Sequence, residues 1–265
     1  MFKGITIGQY YPGDSFFHHL EPRIKIGLIT AYVVFLFLFA TAWGYLAMTL
    51  LSLTVILLAR LPLKLMVRGL RPLYFIIAFT LILHIFFTKG GDVLVRWGRI
   101  AIESQGLFTG LLMAWRLILL VTTTSLLTLT TSPIALTDAI EGILRPLSPI
   151  GVPAHELAMM MTIALRFIPT LLEEAEKIMK AQMARGADFE SGNLVQRAKA
   201  LIPLLVPLFI SSFRRADDLA LAMEARCYRG GKGRTRMKVT RVKAGEWLVL
   251  TGFIAAMVVL VWLGL

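Results

Sequence analysis

Five stretches with almost no charge, 26–41, 43–59, 72–88, 106–131 and 247–265, decide which folds are open to this chain. Inside a bilayer no water can satisfy backbone N–H and C=O groups, so a run of this kind must form a helix that bonds to itself. Composition points the same way: 57% of the 265 residues are hydrophobic and 17% are charged, too apolar a balance for a soluble domain. The expected fold is an all-α integral membrane protein with about five transmembrane helices and a cytoplasmic helical domain containing two long amphipathic helices. Its parts are a cytoplasmic N-terminal segment (1–25), four transmembrane helices (26–131), the cytoplasmic domain (132–243) and a C-terminal transmembrane helix (244–265). No cleavable leader is expected, because the first twenty-odd residues mix polar and aromatic types and lack an apolar core.

A net charge of +12 would suggest nucleic acid in a soluble protein, but here its distribution sets orientation. If 1–25, 60–71 and 132–243 share one side, they hold 24 of the 28 Lys and Arg residues; the other side holds only Lys89, Arg96 and Arg99. Basic residues stay in the cytoplasm, which puts the N-terminus and the large polar segment inside and the C-terminus outside, in a multi-pass membrane protein. One cysteine, Cys227, excludes an internal disulfide.

Local chemistry fills in the rest. Tyr11-Pro12-Gly13-Asp14-Ser15 carries turn residues. The first two spans are joined so tightly that they form a hairpin, and 89–105 reads as a loop with room for a short surface helix. Ser132 and Pro133 suit the cap and first turn of the next helix. Two further apolar runs, 157–172 and 200–213, are interrupted by Arg166, Pro169, Pro203 and Pro207. They fall short of the ~20 residues of a usual span, and a central arginine costs about 3 kcal/mol on insertion scales. These runs are expected to lie at or under the membrane interface.

Catalytic signatures are missing. His18, His19, His84 and His155 form no metal-binding spacing, and there is no nucleophile elbow. Gly230-Gly231-Lys232-Gly233 lacks the first glycine and the Ser or Thr of a phosphate loop, so this chain should bind no nucleotide itself. No paired carboxylates lie in a span, as a proton-driven carrier would need. Arg116 and His84 are expected to be structural, Arg116 by snorkelling or by bonding a backbone carbonyl.

Two patterns answer each other instead. Met183-Ala184-Arg185-Gly186 closes one amphipathic run and Glu224-Ala225-Arg226-Cys227 closes another. An arginine at a helix C-terminus can simply bond the free carbonyls there. Repetition of the pattern, with a small residue after each arginine, favours a projecting guanidinium that meets a carboxylate or carbonyls in a partner's groove.

With these residues in view, the chain resembles the transmembrane T component (EcfT) of energy-coupling factor transporters, the ABC-type importers of vitamins and metals. The likeness runs through Gly8-Gln9-Tyr10-Tyr11-Pro12-Gly13-Asp14-Ser15, His19-Leu20-Glu21-Pro22-Arg23-Ile24-Lys25, Leu129-Thr130-Thr131-Ser132-Pro133, Leu165-Arg166-Phe167-Ile168-Pro169 and the two arginine patterns. Its N-terminal form is more similar to the T component shared among several vitamin-binding subunits than to the dedicated cobalt or nickel type.

The resemblance implies a non-catalytic subunit that transmits the ATP-driven motion of two ABC ATPases, as a heterodimer, to a small substrate-binding S subunit in the membrane. ATP and magnesium would be bound by the ATPases, with no cofactor on this chain. The ATPase-docking residues would be Ala184, Arg185, Gly186, Ala225, Arg226 and Cys227, and Arg166, Pro169, Pro203 and Pro207 would contribute coupling or S-subunit contacts. Cys227 departs from the Ala-Arg-Gly form of the motif. A left-handed turn costs cysteine more than glycine, so the second helix is expected to run on to Tyr228 and stop at Gly230-Gly231. The rival readings are a conventional ABC importer permease, which would line its own substrate path, and a secondary carrier.

Overall fold

The computed structural model describes residues 10–39, 41–97, 100–189, 191–231 and 242–263. The Gly8-Gln9 start of the N-terminal motif and most of the basic run 229–243 lie outside these residues. Among the described residues the protein is all-α except for one small hairpin. It divides into two compact units, one holding 137–231 and the other 10–136 and 242–263 of the described residues.

The larger unit contains α1 (Phe16–His19), α2 (Pro22–Leu38), α3 (Ala42–Leu58), α4 (Leu63–Leu70), α5 (Tyr74–Phe87), α6 (Ser104–Thr130) and, from the other end of the chain, an additional long helix (Ala244–Trp262). Expected spans 26–41 and 43–59 correspond to α2 and α3, each 17 residues, with Thr41 between them capping α3 through the Gly44 amide. The basic stretch 60–71 is helical for most of its length, as α4. A 3₁₀ turn at Arg71–Leu73 then leads into α5, so that Leu63–Phe87 is long and apolar enough to span.

The expected loop at 89–105 is instead an antiparallel hairpin, β1 (Val93–Trp97) with β2 (Ile100–Glu103). β-Branched residues at 93, 95, 100 and 102 alternate at the strand period, a short signal that the turn residues before it obscure. The core packs Tyr32, Leu36, Tyr45, Met48 and Leu119 of α2, α3 and α6 around a satisfied polar centre. There the Tyr32 hydroxyl lies 3.1 Å from the Met48 carbonyl and 2.6 Å from Ser52 Oγ.

Two motifs quoted for the resemblance meet in this unit. Glu21 caps α2 by accepting from the Arg23 amide, and Pro22 occupies its first position, where a missing N–H costs nothing. One turn on, the buried Lys25 ammonium donates to the carbonyls of Thr130 (2.9 Å) and His18 (3.3 Å) and to Thr131 Oγ1 (3.4 Å). All three ammonium protons are thereby used, two of them at the carbonyl end of α6, where a cation also meets the helix dipole. The Tyr11 amide donates to the Leu129 carbonyl (2.9 Å), and Ser132 Oγ accepts from the Ala135 amide to cap the helix Pro133–Leu144, α7, as expected.

Arg116, midway along α6, serves the opposite end of α2. It donates to the Phe39 carbonyl at 3.2 Å and sits over the rings of Phe37 and Tyr45. Its structural reading therefore holds. Helices α2 and α6 are antiparallel, and each carries a cation that closes the carbonyl end of the other. Glu246 makes the corresponding tie between the starts of α2 and the C-terminal helix: it accepts from the amides of Glu21 (3.2 Å) and Lys243 (2.9 Å).

The smaller unit holds the rest of α7, a 3₁₀ turn (Arg145–Ile150), α8 (Ala154–Ala184), α9 (Leu194–Ala200) and α10 (Ile202–Ala225). The final helix, Ala244–Trp262, is α11.

Candidate partner-docking site

The apolar runs expected to be short and interrupted are parts of two unbroken helices. α8 extends for 31 residues through Pro169, and α10 for 24 residues through Pro207. Pro203 lies in the first turn of α10, where it removes no intrahelical bond, and one internal proline in a long helix costs a bond without ending it. The charged residues that follow 172 continue along α8, exposed or half-buried. Ala154–Ala184 and Val195–Ala225 are thus both long and apolar enough to cross a membrane, which removes shortness as an argument against it.

α8 and α10 pack antiparallel. Gln182 near the end of α8 donates to the Pro203 carbonyl at the start of α10 (3.3 Å). Midway, Arg215 pairs with Glu174 at 2.7 Å. Further along, Ile163 and Phe167 share an apolar groove of about 250 Å³ with Leu219 and Met223. Among the described residues, the ion pair of α10 is the one that ties it to α8. Past the end of α10, Gly231 lies so close to the His155 ring that a Cβ there would stand 2.7 Å from it, and His155 is itself paired with Glu141 at 3.2 Å.

The two helices end alike. Arg185 (φ −89°, ψ 7°) and Arg226 (φ −91°, ψ 15°) occupy the same capping position in nearly the same conformation. After the first, the amides of Gly186 and Ala187 donate to the carbonyls of Met183 and Gln182, both at 3.0 Å. After the second, Cys227 donates to Glu224 at 2.8 Å and Tyr228 to Met223 at 3.0 Å. Both are Schellman motifs, with the residue after the arginine in the left-handed conformation: Gly186 at φ 88° and Cys227 at φ 55°. The expectation that the second helix continues to Tyr228 is therefore wrong. Closing the last turn with two backbone bonds outweighs the roughly 1–2 kcal/mol that a side chain costs in that conformation.

Backbone bonds thus already satisfy carbonyls that the arginines would otherwise serve. Both guanidinium groups are exposed, and among the described residues neither has an ion pair or hydrogen bond. Ala184, Gly186, Ala225 and Cys227 beside them are exposed too. Because α8 and α10 are antiparallel, the tips lie at opposite ends of the pair. At 1.5 Å per residue along α8, that places them on the order of 40 Å apart. They cannot grip one small ligand together; they present two separate, geometrically equivalent contacts.

The other expected residues scatter along the helices. Arg166 and Pro169 are exposed in the middle of α8, Pro203 is exposed at the start of α10 and Pro207 is half-buried. No cluster unites them. What the sequence reading passed over is the exposed stripe Ile202, Leu205, Val206, Phe209, Ile210 and Phe213 along α10, with Phe209 60% and Phe213 69% exposed. Its spacing of three and four was legible, but the polar partners of the opposite face lie in α8 and were not.

Five helices long and apolar enough to cross a membrane define a multi-pass membrane protein, of the kind found in transporter membrane components. A family model described as "Cobalt transport protein" (CbiQ) matches residues 13–238. The chain is 59% identical over 253 residues to the energy-coupling factor transporter transmembrane protein EcfT of Thermosediminibacter oceani, covering 96% of this chain and 94% of that one. It is 56% identical to the EcfT of Clostridium kluyveri (94% and 92% covered) and 49% identical to that of Brevibacillus brevis (99% of each). The chain belongs to this family of transporter transmembrane components.

Proposed function

We propose that this chain couples two ABC ATPase subunits to a membrane-embedded S subunit that carries a vitamin or other micronutrient inward. Arg185 and Arg226, with Ala184, Gly186, Ala225 and Cys227 around them, each enter a groove of one ATPase. The observation that carries this reading is the pair of matching, exposed and unpaired arginine tips at opposite ends of one helix pair. Two equivalent plugs far apart suit two homologous sockets, and the Cys227 side chain, where the first tip has Gly186, suits a heterodimeric pair. ATP and magnesium stay on the ATPases.

In this reading the smaller unit lies in the cytoplasm, along with the N-terminus, and the C-terminus lies outside, in accord with the charge count and with the Glu246 tie that sets the starts of α2 and α11 side by side. α8 and α10 then lie along the interface, where the charges at 173–180 remain hydrated. The exposed stripe 202–213 needs an apolar cover, which the S subunit supplies; Arg166, Pro169, Pro203 and Pro207 border that contact. Closure of the ATPases on ATP moves the tips, and the helix pair conveys the motion to the S subunit.

The test is assembly. Arg185→Ala or Arg226→Ala should each weaken co-purification of ATPases with the chain, and the double variant should do so more strongly. Each loses charge-assisted hydrogen bonds of about 1.5–3 kcal/mol, or roughly 10- to 150-fold in affinity. Membrane insertion should be unchanged. A double variant that assembles and transports normally would refute the docking assignment.

A further inference from the structure

The first stretch after α3 is not used by the docking reading, yet its surface is unusual. α4 is held against α6: Met66 is buried in a cluster with Leu126 and Leu129, and Gly69 approaches Ser125 closely. Its outer face is free. Lys64 and Arg68 stand one turn apart, and Arg71, seven residues beyond Lys64, continues the same face into the 3₁₀ turn. All three are exposed, as is Arg60 just before the helix. None has an ion pair among the described residues, and the sequence has no acid between Glu21 and Asp92. Beside the cations lie Leu63 and Val67, 58% and 53% exposed and also one turn apart.

A solvated basic face would not place two open aliphatic side chains along its edge. A helix lying in the headgroup layer would, because its aliphatic edge meets the acyl boundary while its cations meet phosphate. Directly after this helix the chain turns into α5, which has no buried residue and is apolar enough to lie in lipid. α4 is therefore tethered at the level where headgroups lie.

We propose that the Lys64–Arg68–Arg71 face of α4, edged by Leu63 and Val67, binds the headgroup of an anionic phospholipid. This goes beyond the coupling role, since it concerns neither the ATPases nor the S subunit. The lipid pins one end of Leu63–Phe87 at the membrane surface.

Full-length protein in nanodiscs of equimolar phosphatidylcholine and phosphatidylglycerol would be released into the gas phase, and the lipids it retains counted by native mass spectrometry. The wild type should retain phosphatidylglycerol in excess of its bulk share. Each cation near an anionic surface contributes about fivefold, so K64Q/R68Q should lower that retention on the order of twentyfold. L63Q/V67Q, with charges intact, should also lower it, which separates a lipid from a free phosphate. K89Q, at the other end of α5, should leave it unchanged and serves as the control for charge alone. Equal retention by wild type and K64Q/R68Q overturns the proposal. Displacement of the lipid by inorganic phosphate, or an equal loss in K89Q, also overturns it, by reducing the site to a general anion surface.

Discussion

Replacing Cys227 by glycine should strengthen the end of α10, and the size of the effect follows from one dihedral angle. Cys227 sits at φ 55°, where its Cβ crowds the following carbonyl at about 1–2 kcal/mol. Glycine removes that strain but loses more freedom on ordering, which offsets about 0.5–1 kcal/mol. The net gain is about 0.5–1 kcal/mol, or two- to fivefold in the local opening equilibrium. Amide hydrogen exchange reads it directly, because the Cys227 and Tyr228 amides close the motif on Glu224 and Met223. In C227G both should exchange two- to fivefold more slowly, with amides in the middle of α10 unchanged. The mirror experiment is Gly186→Ala. Nothing lies within 4 Å of a Cβ built at Gly186, so only the backbone angle of 88° opposes the change, and the Gly186 and Ala187 amides should exchange faster by a similar factor. Faster exchange in C227G, or no effect of G186A, would mean that these turns are not held by the Schellman bonds described.

Two further perturbations probe the larger unit. Lys25→Met leaves two carbonyls and a hydroxyl in a buried site without their donor and should cost about 2–3 kcal/mol; a lower thermal midpoint in detergent checks it, with Lys25→Arg expected to recover part of the loss. His18 accepts from Ser15 at Nδ1 (2.6 Å) and donates from Nε2 to the Tyr11 carbonyl (3.1 Å), and burial lowers its pKa below 6.5. A base with a lowered folded pKa favours the folded state above its unfolded value and loses that contribution as pH falls through 6.5 toward the folded pKa. Limited proteolysis of 10–20 should therefore speed up on acidification below that point, and His18→Gln should flatten the dependence.

How far the sequence carried depended on the range of each interaction. Spans were readable because the bilayer solvent imposes one rule on every residue of a run, and capping at Ser132 was readable because its bonds are local. The 89–105 hairpin was lost because four β-branched residues are too few to set a period against nearby glycines. At the second tip, reasoning from a single residue gave the wrong answer: cysteine disfavours a left-handed turn, but the turn serves two carbonyls, and the sum decides. Prolines misled in the same way, since their cost was counted without regard to position, and Pro203 lies in a first turn. The ties that make α8 and α10 a pair, Glu174 with Arg215 and Gln182 with Pro203, join residues far apart in sequence with no local mark on either.

Those ties bear on how coupling would work. If the helix pair conveys motion from an ATPase groove to an S subunit, it must act as one body, because a displacement at one tip that is taken up by sliding at the crossing never reaches the apolar stripe. Midway along the crossing stands the Glu174–Arg215 pair, whose side chains are 21% and 40% exposed. Exposure of that order screens the charges, so the pair adds less than about 1 kcal/mol to stability. Its direction matters more than its energy, since a short 2.7 Å contact resists sliding along the helix axes. Arg215→Met keeps the stem against the groove formed by Phe167 and Leu171 while removing the tie. In the assembled transporter this variant should melt within a few degrees of wild type and bind its ATPases normally, yet turn over more ATP per substrate imported. An unchanged ratio of ATP hydrolysed to substrate imported, in a variant that assembles normally, would show that the crossing need not be rigid and that the motion takes another route.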